Sequence, residues 1–338
     1  MEYKFKNLVF EGGGVKGIAY GGALKILDSR KIISGIVRVA GTSAGAINAA
    51  LLAFGYSFED VSKVIAETKF SSFQDKTWFL PTNINRFLFR YGYYKGDSFL
   101  GWLGDKIKEK TNNADFTFGE LKERAGKDGY KELYVIATNL SQQRAEVISH
   151  ETYPDLPIRE AVRMSMGIPF FFKVARKSND VMVDGGVSWN YPINLFDYKK
   201  YLVNPLNVED VGRDGANSKK YATDEDYIFN YETLGMRLDS TTVIEYAKHN
   251  WALPPSEIKN LMGHTTALLG FMMEIANSSH LHSNDWNRTI AIDTLGIKTT
   301  QFNLTDAEIK SLLDSGEECT RKYFEWRDTD ALWGKLPQ

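Results

Sequence analysis

The chain has 338 residues, 43% of them hydrophobic and 13% aromatic, with a formal net charge of -2 at pH 7. It is long enough to bury a large core as one α/β unit or two smaller ones. The near-neutral charge excludes the basic field needed to hold nucleic acid, or to anchor the chain on anionic lipid by charge alone. Contact with lipid therefore has to rest on apolar and aromatic side chains.

The single cysteine, Cys319, rules out an intramolecular disulfide and reads as a buried thiol in a helical pattern. Residues 1–6 lack the apolar run of a secretory signal, and the apolar stretch 44–54 is far shorter than the roughly 20 residues that span a bilayer. The expectation is a cytoplasmic protein able to sit peripherally on a membrane or micelle surface, with export independent of an N-terminal signal left open.

In chain order, residues 8–10 form a short apolar run stopped by Glu11 and three glycines. Apolar residues then recur at helical spacing (Ala19, Ala23, Leu24, Leu27), which predicts strand, tight loop and helix. Ile36, Val37 and Val39 predict a second strand ending at Gly41, followed by a strongly apolar helix over 44–53. Two such units at the start of the chain predict an α/β fold with a parallel, doubly wound sheet. Further buried strands are expected at 133–137, 181–183 and 289–292. Thr305, with Glu308 three residues on, starts a last helix whose apolar face runs through Ile309, Leu312, Leu313 and Tyr323.

Two segments stand apart. Residues 70–102 are dense in aromatics without a clean period, which suits either a second core layer or an apolar cap that recruits acyl chains. Residues 204–226 are polar and too long for an ordinary connection, so an inserted surface loop or a disordered segment is expected there.

The chemistry begins with Gly41, Thr42, Ser43, Ala44 and Gly45, which spell G-x-S-x-G, the strand-to-helix elbow that lifts a serine hydroxyl clear of a sheet. The pattern is weak alone; the strand before it and the apolar helix after it give it weight, and they set Ser43 at a positive helix terminus. Gly12, Gly13, Gly14, Val15, Lys16 and Gly17 supply a loop whose unhindered N–H groups can stabilise an oxyanion. Lys16 can hold a phosphate or steady the loop. The same six residues also spell G-x-G-x-x-G, the dinucleotide fingerprint, but the second strand ends without the acidic residue that would hold a ribose.

A base for the serine is offered by Asp184, delivered by an apolar run into Gly185 and Gly186. An Asp before two glycines also commonly caps its own turn. An ordinary carboxylate is a poor base for serine, so burial would have to raise its pKa. The order Ser43, Asp184 and then His264, His280 or His282 also fits a Ser-Asp-His triad, although no histidine follows a strand and glycine turn. His150 and His249 complete the set. The pair His280 and His282 has no further ligand at metal spacing.

With these three parts in order, the chain resembles the patatin-like phospholipases. The resemblance extends through Met164, Ser165, Met166, Gly167, Ile168 and Pro169 to Phe172, and through Val187, Asn190 and Pro192. Later pieces are Glu232, Thr233, Leu234 and Gly235, and Ile292, Asp293, Thr294, Leu295 and Gly296. It implies a three-layer α/β/α sandwich around a mostly parallel central sheet, as one catalytic domain over residues 1–338. It also implies a Ser43–Asp184 dyad without a catalytic histidine, with no metal and no cofactor. Gly13, Gly14 and Val15 would be the oxyanion donors, and Lys16 stands where the family commonly has Arg or Lys. The implied substrates are carboxylic esters of membrane lipids, cleaved through an acyl-enzyme as by a phospholipase A or lysophospholipase. An acyltransferase or a noncatalytic lipid-binding module on the same scaffold are the alternatives, with a dinucleotide-binding protein more distant.

Overall fold

The computed structural model describes residues 3–68, 73, 92–203, 226–240, 258, 267–268, 270–272, 275–276 and 283–329. Its strands are β1 (Asn7–Phe10), β2 (Arg38–Thr42), β3 (Gly92–Tyr94), β4 (Glu132–Asn139), β5 (Arg144–Ile148), β6 (Phe170–Phe172), β7 (Ala175–Lys177), β8 (Asp180–Asp184), β9 (Thr233–Asp239) and β10 (Thr289–Asp293). Leu8 and Phe10 of β1 face one apolar layer and Val9 the other. The split recurs in β4, where Leu133, Val135 and Ala137 oppose Tyr134 and Ile136. This alternation, apolar on both sides, marks a sheet buried on both faces.

Strands β10, β9, β1, β2 and β4 lie side by side and parallel, while β5 and β8 pair antiparallel with β4 and β7 antiparallel with β8. The mostly parallel central sheet is thus as expected, and β3 with β6 forms a separate parallel pair. One face is covered by α1 (Tyr20–Ser29), α2 (Ala44–Ala53) and the last helix, Asp306–Thr329. The other is covered by the short helix Gly186–Trp189 and by Tyr191, Ile193, Leu195, Phe196 and Tyr201. Arg288, wholly buried, donates to both oxygens of Asp197 at 2.6 Å and to Asp285, which ties this second layer to the start of β10.

One feature of β4 positions the site. Antiparallel β5 occupies one edge of β4 over residues 135–139, so β2 and β8 share the other edge. Parallel β2 ends with Thr42 opposite Ile136, and antiparallel β8, arriving from the other direction, ends with Asp184 opposite Ala137. The C-terminal ends of two strands therefore meet head to head.

Several expectations shift in detail. The second strand starts at Arg38, because residues 33–35 close a 3-10 turn ahead of it. Cys319 is half-buried, with its Sγ 3.9 Å from the Ser315 hydroxyl. The last helix opens on the expected reciprocal cap: Thr305 N–H donates to Glu308 Oε2 (2.7 Å) and Glu308 N–H to Thr305 Oγ1 (3.2 Å). In the aromatic stretch 70–102, Phe73 packs with Phe99 and Trp102 in the main core, so this part serves the core. Trp78, Phe79 and residues 80–91 lie outside the described residues, as do 204–225 of the expected polar loop. No helix among the described residues is long and apolar enough to cross a membrane.

Candidate active site

β2 passes into α2 through Ser43, whose φ of 53° and ψ of -123° form a sharp, strained elbow. The flanking glycines are demanded by contact. A Cβ on Gly41 would lie 2.3 Å from the Gly45 carbonyl oxygen, and one on Gly45 would lie 2.5 Å from that of Phe10. The elbow is also braced from outside, because Ser43 N–H donates to Ser165 Oγ at 2.8 Å and that hydroxyl donates to the Ile136 carbonyl at 2.5 Å.

The head-to-head strands bring Ser43 Oγ to Asp184 Oδ2, donating at 2.7 Å, and both side chains are buried (3% and 4% exposed). The other carboxylate oxygen, Oδ1, accepts the Gly186 N–H at 2.8 Å. Asp184 thus caps its own turn and engages the serine at once. Thr138 Oγ1 fixes its backbone by donating to the Asp184 carbonyl at 2.8 Å. Burial pushes the Asp184 carboxyl up to about 6, against the opposing pull of the bonds from Ser43 and Gly186. Such a carboxylate is better matched to taking a serine proton near neutral pH than an exposed one.

The glycine loop lies directly against the elbow: a Cβ on Gly12 would sit 3.2 Å from Ser43 Cβ, and one on Gly17 would sit 3.2 Å from Ala44 Cβ. Three of its N–H groups are already committed. Gly12 donates to the Asn190 carbonyl (3.1 Å), Val15 to that of Thr299 (3.2 Å) and Lys16 to that of Gly13 (3.3 Å). This corrects the expectation that Val15 is a free oxyanion donor. Gly13 and Gly14 donate to no group among the described residues, and Gly14 holds a left-handed φ of 56°. Lys16 Nζ donates to the Leu238 carbonyl at 3.3 Å, so its ammonium steadies the loop against β9. The 3-10 helix Gly14–Ala19, which includes two of the loop's glycines, precedes α1, so α1 does not start at the loop as a dinucleotide site would need.

Beneath the loop sits Glu11, 2% exposed, whose Oε2 accepts the Leu238 N–H at 2.7 Å and whose Oε1 accepts from Asn190 Nδ2 at 3.1 Å. Burial pushes the Glu11 carboxyl above the usual carboxylate range, with Arg237 pulling the other way. His150 is the only histidine among the described residues; its ring meets Tyr134 edge-on. His249, His264, His280 and His282 lie outside them. Among the described residues no three His, Cys, Asp or Glu side chains cluster as a metal site.

Ser165, Asn190 and Glu11 are parts of the site that belong to no catalytic motif of the sequence. Ser165 and Asn190 entered only through the family resemblance, since a serine between methionines and an asparagine after tryptophan carry no local signal. Glu11 directly before three glycines was the one visible hint, because an acid that ends a buried strand needs partners.

A family model described as patatin-like phospholipase matches residues 8–197. The Bacillus subtilis (strain 168) protein YqhO is 28% identical over 331 residues, covering 94% of this chain and 97% of that protein. "Probable lipid hydrolase 463L" of Invertebrate iridescent virus 6 is 28% identical over 196 residues, 56% of this chain and 63% of that protein. Among solved structures, VipD from Legionella pneumophila aligns with a TM-score of 0.62 at 18% identity, covering 96% of this chain and 67% of VipD. The type III effector protein ExoU aligns with a TM-score of 0.51 at 15% identity, covering 97% of this chain and 54% of ExoU. At these identities both structures speak to the fold alone.

Proposed function

This chain belongs to the patatin-like phospholipase family, and from that premise we propose that it is a lipid acyl hydrolase acting through a Ser43–Asp184 dyad. The observation that carries the reading is the 2.7 Å bond from Ser43 Oγ to Asp184 Oδ2 beside a loop with two N–H groups that donate to nothing among the described residues. The probable lipid hydrolase among its relatives supports the substrate class.

In this reading Ser43 Oγ attacks the ester carbonyl carbon as its proton passes to Asp184 Oδ2, and the N–H groups of Gly13 and Gly14 hold the developing oxyanion. The acyl carbon–oxygen bond then breaks, and Asp184 returns the proton to the departing alcohol. Water attacks the acyl-enzyme, giving up its proton to Asp184, and Ser43 leaves with that proton as the fatty acid is released. No metal or cofactor enters these steps. The substrate is taken to be a carboxylic ester of a membrane lipid, met at a membrane or micelle surface.

The test is a hydrolysis screen with purified protein across phospholipids, lysolipids, galactolipids and triglycerides, with Ser43→Ala as control. Release of fatty acid that depends on Ser43 supports the reading. Activity equal in the variant, or lipid binding without turnover, favours the noncatalytic alternative. Transfer of the acyl group to an added alcohol in preference to water would make the same site an acyltransferase.

A further inference from the structure

Asn190 caps the short helix Gly186–Trp189 and grips Gly12 from both sides. Its carbonyl accepts the Gly12 N–H at 3.1 Å, and its Nδ2 donates to the Gly12 carbonyl at 3.1 Å. The same Nδ2 donates to Glu11 Oε1 at 3.1 Å, and Glu11 in turn accepts the Leu238 N–H of β9. The peptide groups on either side of the Gly12 Cα are therefore both fixed, immediately before the two glycines whose N–H groups donate to nothing among the described residues.

The fit leaves no slack. A Cβ on Gly12 would lie 2.4 Å from Asn190 Oδ1 and 3.2 Å from Ser43 Cβ, so amide, glycine and serine are packed against one another. Turning the amide over would set its oxygen against two acceptors, the Glu11 carboxylate and the Gly12 carbonyl. As placed, Oδ1 is buried and meets no donor among the described residues. An unmatched buried acceptor is unfavourable, so the value of an amide here lies in the two bonds that Nδ2 donates.

We propose that Asn190 is a positioning residue for acyl transfer: by holding Gly12 at both ends, it sets the N–H groups of Gly13 and Gly14 at the height where the oxyanion forms above Ser43. This rests on the ester hydrolysis proposed above. An interaction that matters only once the oxyanion exists acts on kcat and leaves KM nearly alone. Loss of one oxyanion donor typically costs about a hundredfold or more in rate, and displacing two sets a comparable scale.

The discriminating variant is Asn190→Asp, which keeps the shape but replaces the donor with an acceptor facing Glu11 and the Gly12 carbonyl. A protonated carboxyl at this position can donate again. The groups that face Glu11 are Arg237, Asp239 and Lys16, with the rings of Tyr20 and Tyr191 beside them. In the structure the side-chain bond to the Gly12 carbonyl comes from Asn190 Nδ2. Rates are measured on a short-chain ester from about pH 8 down to about pH 5, against wild type at each pH, with the fold checked by circular dichroism. The kcat of Asn190→Asp is expected to be about a hundredfold below wild type at the alkaline end, with KM within about twofold. Its ratio to wild type should rise as pH falls. Asn190→Ala should show the same split of kcat from KM with no recovery, and it decides the matter if the Asp variant does not fold. Wild-type kcat in Asn190→Asp at about pH 8, or a loss carried by KM in both variants, overturns the inference while wild type remains active. A wild-type protein that hydrolyses no ester and takes no serine-directed label removes the hydrolase reading and this inference with it.

Discussion

Ser43 and Asp184 stand 141 positions apart in the chain yet share a hydrogen bond of 2.7 Å, because β4 pairs Thr42 with Ile136 and Asp184 with Ala137. Backbone pairing sets the contact, so neither side chain has to search for the other. Preorganisation of this kind lowers the entropic cost of assembling a catalytic pair.

The pair predicts a pH dependence of rate. In the proposed mechanism Asp184 accepts the serine proton and has to be ionised to do so, and its carboxyl is held up to about 6 by burial. The kcat/KM of the wild type on a soluble ester should therefore fall below about pH 6, tenfold for each further unit. Asp184→Asn should lose about a thousandfold or more, a loss of the size seen when a catalytic base is removed. A flat profile from about pH 5 to pH 8, or an active Asn variant, would contradict the role given to Asp184.

The same shift predicts a stability difference of stated sign. The folded-state pKa lies above the unfolded value, so the proton is bound more tightly in the folded chain. The resulting stabilisation is present below the unfolded pKa and is lost as pH rises through about 6. Asn does not titrate. The stability of Asp184→Asn relative to wild type should therefore increase from acid to neutral pH, by up to about 3 kcal/mol for a shift of this size. Denaturant unfolding of both proteins at several pH values checks this; a pH-independent difference would show that burial does not raise the carboxyl.

How much of this was legible in the sequence divides by the range of the interactions. The first strand, the elbow, α2 and the capping box at Thr305 follow from local apolar spacing and glycine placement, and the structure has them where the pattern puts them. The meeting of β2 and β8 on one edge of β4 is a long-range pairing that no local pattern encodes. Strand β5 starts on exposed Arg144 and buries Glu146, and β9 holds Gly235 and the buried Arg237, so neither shows the apolar run of a core strand. Val15 is a parallel case: nothing in the local sequence names a partner for its N–H, which is spent on Thr299 near the other end of the chain.

Ser165 offers a test of the elbow. Its hydroxyl holds the N–H of a serine in a strained conformation, and Ser165→Ala would leave that buried N–H without an acceptor. A stability loss of about 1–3 kcal/mol is expected, together with a fall in kcat on the order of ten- to a hundredfold as Ser43 loses its fixed height. Chemical denaturation and steady-state kinetics check both. Unchanged kcat in the Ala variant would mean that the elbow holds its shape without this brace.

The dyad reading predicts that histidines are dispensable. His264→Ala, His280→Ala and His282→Ala should each keep kcat within a few-fold of wild type, since no step is assigned to an imidazole. Single-variant kinetics on folded protein test this, and a loss of about a thousandfold in one of them, the size expected of a triad member, would replace the dyad with a triad.

The proposed role of Ser43 as an activated nucleophile is tested most directly by a fluorophosphonate probe. Wild-type protein should gain one covalent adduct by intact mass, mapped by peptide sequencing to Ser43. The adduct should be absent from Ser43→Ala and much slower to form in Asp184→Asn. A folded wild-type protein that hydrolyses ester yet takes no adduct at Ser43, or whose Ser43→Ala variant keeps full activity, would contradict the account.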